Sequence, residues 1–381
     1  MAVKFAVIGL IFLILMMSLS KVIYYTKQQK GWAFFLFALC MAILAFHAEP
    51  DDRWDLARHF MYMEQIRGAN LTLPQMLFNN RGIGGYPTLI SYNLLRYIIC
   101  LFTENNHWLP AVCVFIDYLI VGYIILDWYE TSNLKERFSI LVPLLCCTLL
   151  PPLHAFSGMR NALAACVMGL GIYLYIYKRK KLIIFIILAF IAATIHQAVL
   201  FAIPFVFLSR VRLGKKGILV VVCASFSLRS IAGMLQNSRY LFLVTIANKY
   251  FYYSSESQYR ASVYSLWADT ILVLSFLGLY FLFGNQFEKV LWKREHEMLY
   301  LFLIYYMCFI VGNFGNYDLV LRPCYLLGVF APVLVSLVEN KTVWTSIHGK
   351  ELQMVGKVLC TTLCALASFM YIRQIITGAF R

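Results

Sequence analysis

The sequence predicts an all-α, polytopic integral membrane protein, and three observations carry the prediction. Of its 381 residues, 61% are hydrophobic and only 13% are charged, about half the roughly 25% charged share of a soluble domain. The mean hydropathy is +0.73. The apolar residues fall in blocks of about 15 to 23 that are apolar all round, the length and pattern of bilayer-crossing helices rather than of amphipathic soluble ones.

Taken in chain order, the blocks place spans at 2–20, 31–48, 107–128, 138–153, 160–177, 182–194, 197–209, 217–235, 263–283, 298–315, 321–338 and 358–376, about twelve in all. The first lacks a small-residue cleavage site before Lys21 and reads as a span rather than a removed signal. Basic residues cluster at Lys21/Lys27/Lys30, Lys135/Arg137, Lys178–Lys181, Arg210/Arg212/Lys215/Lys216, Lys289/Lys293/Arg294 and Lys341/Lys350/Lys357. With both termini outside, all six clusters face the cytoplasm, as membrane proteins require. Residues 84–103 are also fairly apolar but carry Asn93 and Arg96 near their centre. A span there would turn every later cluster outward, so the segment predicts an interfacial or re-entrant helix behind the turn Arg81-Gly82-Ile83-Gly84-Gly85. Residues 1–381 then form a single transmembrane domain, whose outer loops 49–106 and 236–262 contribute to an outward-facing cavity.

The net charge of +15 follows from this loop bias and does not call for nucleic acid. Nearly all of the eleven cysteines, Cys40, Cys146, Cys147, Cys166, Cys223 and Cys360 among them, fall inside apolar blocks, with no CxxC pair. That excludes the usual disulfide framework and gives no reason to expect a metal site. On this topology 14 of the 16 lysines are cytoplasmic, whereas 12 of the 17 arginines lie outside or within spans. Lysine alone would satisfy the orientation rule. Arginine adds a planar, permanently charged fork suited to phosphate, which points to a phosphorylated ligand approached from outside.

Polar groups at membrane depth are costly and therefore candidates for function. Four places hold them. After the second span, Asp55, Arg58 and His59 stand at i, i+3 and i+4 and would share a helix face able to hold a sugar hydroxyl beside a phosphate. In Pro151-Pro152-Leu153-His154-Ala155-Phe156-Ser157-Gly158-Met159-Arg160-Asn161, proline and glycine break one span and Arg160 enters the first turn of the next. Free N–H groups and the helix dipole there favour an anion, and a guanidinium completes a pyrophosphate seat. His196 and Gln197 lie between two basic clusters about 28 residues apart, where two full spans need about 40, so the pair must be short or broken. In Gly312-Asn313-Phe314-Gly315-Asn316-Tyr317-Asp318-Leu319-Val320-Leu321-Arg322-Pro323, Arg322 is expected to begin the returning helix and repeat the Arg160 arrangement. Arg229, inside its apolar block, is a third candidate cation, and the buried Asp269 has no evident partner in sequence. The tyrosines at 240, 250, 252, 253 and 259 suit either sugar stacking or a membrane-interface belt.

The run Met159-Arg160-Asn161-Ala162-Leu163-Ala164, the following apolar helix, the Lys178-Arg179-Lys180-Lys181 run and Ala193-Thr194-Ile195-His196-Gln197-Ala198 together resemble the core of the EpsG family of Wzy-like exopolysaccharide and O-antigen polymerases. Asp55-Leu56-x-Arg58-His59 and Arg322-x-x-Tyr325 resemble that family as well, although the first loop departs from the Gly-Asp-x-x-x-Tyr pattern common among its members. The resemblance implies a bacterial plasma-membrane enzyme: a metal-independent, inverting glycosyltransferase of the multi-span GT-C kind, with no cofactor, its active site facing the exterior. It would join undecaprenyl-diphosphate-linked oligosaccharide repeats, with undecaprenyl diphosphate as leaving group. His196, Asp55 and His59 would then be catalytic, and Arg58, Arg160, Asn161, Gln197, Arg229, Arg322 and Tyr325 would bind the diphosphate and glycan. The expected partners are the lipid-linked oligosaccharides, membrane lipid and a chain-length regulator. Two other classes fit some of the same residues. A lipid-linked glycan flippase would also need an arginine-lined cavity, but such transporters usually show two similar halves, and no such repeat is found. A membrane-bound O-acyltransferase would use an embedded histidine but has no obvious need of outer arginines.

Overall fold

The computed structural model describes residues 27–50, 55–78, 89–131, 152–240, 269–281, 294–314 and 316–339, with isolated positions within 146–150, 244–251 and 358–365. The expected spans at 2–20 and 358–376, most of 138–153, the turn at 81–85 and most of loop 236–262 lie outside these residues. Every regular element among the described residues is helical.

Among the described residues, two helices are long and apolar enough to cross a membrane alone, α1 at Trp108–Thr131 and α2 at Met159–Tyr177, the latter closing in a π turn over Tyr173–Tyr177. Gly214–Phe226 and Ser230–Gln236 qualify together as one span bent by 43°. Shorter apolar helices stand at other expected positions: Gly31–Phe46, Leu182–Ile195, Gln197–Leu208, Asp269–Phe281 and His296–Gly312. The fold is therefore a membrane-type helical bundle, with many of its helices shorter than a full crossing.

Side-chain contacts fix how the helices run. Helix Lys27–Phe46 lies antiparallel to α1: Phe46 meets Trp108, Phe37 meets Tyr118 edge-on at 5.3 Å, and Phe34 presses on Gly122, where a Cβ would stand 2.9 Å from its ring. Helix α2 runs parallel to α1, since Tyr173 bonds Asp127 and Tyr177 bonds Thr131 near the C-terminal ends of both. Leu182–Ile195 returns beside α2 through the Tyr175–Phe185 stack and the fit of Leu188 on Gly171. Arg294–Gly312 and the chain beyond it are antiparallel, with Phe302 on Phe330 and Tyr300 hydrogen-bonded to Ser336.

These pairings give the bundle two chemically different ends. One gathers Lys178–Lys181, Arg210, Arg212, Lys215 and Lys216 around a hydrogen-bonded, ring-stacked network of Asp127, Thr131, Tyr173, Tyr177, Lys178 and His296. The opposite end gathers the start of α1, the start of α2, residues 194–201 and the turn at 312–314. The basic clusters among the described residues thus share one end, as the topology from sequence requires.

Candidate functional site

Four chain segments build the end opposite the basic clusters. The first is α3, Asp55–Gly68, whose buried residues Leu56, His59, Phe60, Met63 and Ile66 form one stripe. His59 lies on that stripe with no exposure, whereas Arg58 points outward and pairs with Asp55. The expected shared face is thus divided: the i and i+3 residues hold one another at the rim, and the i+4 histidine turns into the core, because the apolar neighbours at 56, 60 and 63 draw that side inward.

The second is α4, Ile90–Phe102, within the block 84–103. Its 13 described residues extend about 20 Å. Its polarity is reversed relative to a soluble helix. Tyr92, Asn93, Arg96 and Ile99 are buried, while Leu94, Ile98, Leu101 and Phe102 are exposed, Phe102 at 85%. Arginine and asparagine turned into the protein with leucine and phenylalanine turned out is the pattern a lipid surround imposes. Helix α4 is pinned to α3 by Arg67, which donates to Asn106 at 2.6 Å and to the Thr103 carbonyl at 2.9 Å.

The third is the start of α2. A short helix at Pro152–Ser157 precedes it, Gly158 breaks the chain, and Arg160 stands in the first turn, as expected. No side chain caps that turn. The side-chain oxygen of Asn161 is buried without a hydrogen-bond partner among the described residues.

The fourth is the break at His196. Helix α5, Leu182–Ile195, stops because His196 is extended (φ −156°, ψ 122°), and a 3₁₀ turn follows at Gln197–Ala202. The pair is therefore both short and broken, as the 28-residue spacing demands. His196 is buried, and its Nδ1 accepts the Ala198 N–H at 3.2 Å. Gln197 beside it is half-buried.

Tyr92 joins three of these segments. Its hydroxyl is 3.0 Å from His59 Nδ1; the Arg96 guanidinium lies 5.1 Å from its ring centroid and that of Arg160 lies 5.8 Å away. Arg96 donates to Asn93, one turn back on α4. Ser91, next to Tyr92, hydrogen-bonds Thr194 at 2.7 Å, two residues before His196. His59 titrates well below the usual histidine range, first because it is buried and then because Arg160, Arg96 and Arg58 surround it with positive charge.

Arg322 is the clearest correction. Its helix, α6, begins at Tyr317, where Asn316 caps the Leu319 N–H at 3.3 Å. Arg322 is thus in the second turn and not at the helix start, and it does not repeat the Arg160 arrangement. The helix starts there because the Asn316 side chain takes the Leu319 N–H, one of the donors a helix start leaves unpaired. Arg322 is paired with Asp318 at 3.2 Å, and Tyr325 lies buried one turn further on. Helix α6 nevertheless packs on both α2 and the 3₁₀ turn after His196. Arg229 belongs to the helix Leu228–Gln236, but its side chain lies outside the described residues.

The structure also adds residues that sequence reasoning leaves out of the site: Tyr92, Asn93 and Arg96. The signal is present in the sequence, since Asn93 and Arg96 sit in an otherwise apolar block. It serves there to exclude a span and goes no further.

Fold and site together define a membrane-embedded helical protein that collects arginines and histidines at the end away from its basic loops. The chain belongs to the EpsG family, whose model matches residues 76–377. Arg160, Asn161, His196, Gln197, Arg229, Arg322 and Tyr325 fall inside the matched stretch; Asp55, Arg58 and His59 precede it. No curated protein and no solved structure matches the chain significantly.

Proposed function

We propose that this protein is a polysaccharide polymerase that joins undecaprenyl-diphosphate-linked oligosaccharide repeats at the outer face of the bacterial plasma membrane. Family membership points to polymerisation of polysaccharide. The observation that carries the site is the gathering of His59, Arg96 and Arg160 on Tyr92 at the end opposite the lysine-rich loops.

The chemistry asks for two things. As the anomeric carbon leaves the diphosphate, negative charge grows on the departing oxygen, and fixed guanidiniums placed there lower the barrier. Arg160, half-buried at an uncapped helix start, holds the diphosphate, with Asn161 next to it in the chain, Arg58 reaching in from the rim and Arg322 contributed by the neighbouring helix. The acceptor hydroxyl must also be aimed at the anomeric carbon and lose its proton. With Nδ1 of His196 engaged by Ala198, the neutral imidazole presents Nε2–H, a donor that orients the acceptor together with Gln197. The role of proton acceptor then passes to Asp55, the carboxylate at the rim of the site. The acceptor oxygen attacks from the face opposite the diphosphate, its proton goes to Asp55, and undecaprenyl diphosphate leaves with the bonding electron pair, which inverts the anomeric centre.

The test uses purified protein in lipid with undecaprenyl-diphosphate-linked repeat units extracted from a strain lacking it. A ladder of products with released undecaprenyl diphosphate is expected, lost in Arg160→Ala and strongly reduced in His196→Ala. Full-length polymer from both variants would overturn the site; unchanged substrate with native, well-folded protein would overturn the polymerase and favour a flippase.

A further inference from the structure

We infer that Tyr92 is the positioning residue of this site, holding the Arg160 guanidinium in place for the lipid diphosphate. The inference rests on the polymerase reading for its ligand and deepens it. Three side chains, Arg96, Arg160 and His59, meet at Tyr92.

An arginine side chain has four rotatable bonds before its guanidinium, so an arginine at a helix start is not by itself an aimed ligand. An aromatic face removes much of that freedom, because the cation is drawn to the ring's negative quadrupole and packs flat against it. Tyr92 offers that face to two guanidiniums, Arg96 at 5.1 Å and Arg160 at 5.8 Å. The ring cannot swing away readily: it is fully buried, its hydroxyl is 3.0 Å from His59 Nδ1, and its neighbour Ser91 is tied to Thr194. Arg96 is wholly buried and hydrogen-bonded to Asn93, whereas Arg160 is half-buried. The two cations therefore have different duties. Arg96 is the fixed inner one that braces the ring, and Arg160 is the outer one that the ring presents to ligand. Tyr92 itself touches no substrate in this arrangement and acts through Arg160.

The experiment is a double-mutant cycle on affinity for undecaprenyl diphosphate, measured by competition with purified protein in lipid nanodiscs, alongside polymerisation kinetics. Tyr92→Leu is expected to weaken binding roughly 10-fold, the scale of a desolvated cation–π contact, and to lower kcat about 100-fold through misplacement of the cation. Tyr92→Phe keeps the ring and should recover binding to within about 3-fold of wild type, since the ring face carries the effect. In an Arg160→Ala background, Tyr92→Leu should change affinity by less than about 2-fold, as residues acting as one unit do not add. An equal 10-fold loss in both backgrounds, or a Phe variant as weak as the Leu one, would overturn the inference. Tyr92→Met, unbranched and better able to fill an irregular gap, replaces the Leu variant if that protein does not stay monodisperse. Binding that follows this pattern without any polymer from wild type would sink the polymerase reading and leave the Tyr92–Arg160 unit standing.

Discussion

At the scale of single residues, His59 and Arg160 make opposite demands on their surroundings. His59 lies outside the spans yet is fully buried, and burial together with Arg160, Arg96 and Arg58 keeps its imidazole neutral in the folded protein. On unfolding it regains an ordinary value of about 6.5. Between that value and the lower folded one, the unfolded state binds the extra proton, so this contribution to stability is lost as pH falls below about 6.5. Thermal denaturation at pH 7.5 and pH 5.0 is expected to show a drop in stability that shrinks in His59→Gln; an equal drop in both proteins would contradict it. In the role proposed for it, Arg160 needs both its charge and its shape. Lysine keeps the charge but loses the planar fork that stands 5.8 Å from the Tyr92 ring, so Arg160→Lys is expected to lose at least about 10-fold in polymer yield, on the energy scale of a cation–π contact, as read by product ladders.

Elements decide where those residues stand, and glycine sets some of the closest approaches. Gly312, at the end of Arg294–Gly312, faces Gly214–Phe226 so closely that a Cβ would lie 2.3 Å from the Ser225 Cβ and 2.9 Å from the Val222 carbonyl. Backbone cannot retreat as a side chain can, so Gly312→Ala is expected to cost about 1–3 kcal/mol, seen as a lower melting temperature in lipid nanodiscs. The joint between α4 and α5 is lighter. Ser91 and Thr194 share one hydrogen bond of 2.7 Å, and Ser91→Ala with Thr194→Val should remove it at a coupling of about 1 kcal/mol. Because that bond is two residues from His196, the pair should also lower activity more than stability, which a comparison of polymer yield with melting temperature would reveal.

For the whole molecule, the decisive property is the separation of two chemistries between opposite ends. The basic clusters surround the Asp127–Tyr173–Lys178 network, and the arginine–histidine site stands across the bundle from it. Orientation then follows from the preference of lysine and arginine for the cytoplasmic side. Alkaline phosphatase fused after residue 106 is expected to be active, and after residue 180 inactive, since the enzyme folds only outside. The reverse pattern would place the site in the cytoplasm and exclude a reaction on the outer leaflet.

Much of this was legible in the chain before any coordinates. Composition and block length required a membrane-type helical bundle, because a chain with so few charges cannot wet a soluble surface. The spacing around His196 required a short or broken pair, the Pro/Gly sequence before Arg160 required a helix start there, and the loop charges required one basic end. What only the tertiary structure decided is which residues meet. Asp55, Arg58 and His59 are split between rim and core because the apolar stripe of their helix, not their spacing, sets what is buried. Arg322 sits a turn inside its helix because Asn316 caps earlier. Tyr92 and Arg96, 33 or more residues from His59 and about twice that from Arg160, became part of the site because a helix in lipid turns its polar side inward, and the side it turned inward faces those two residues.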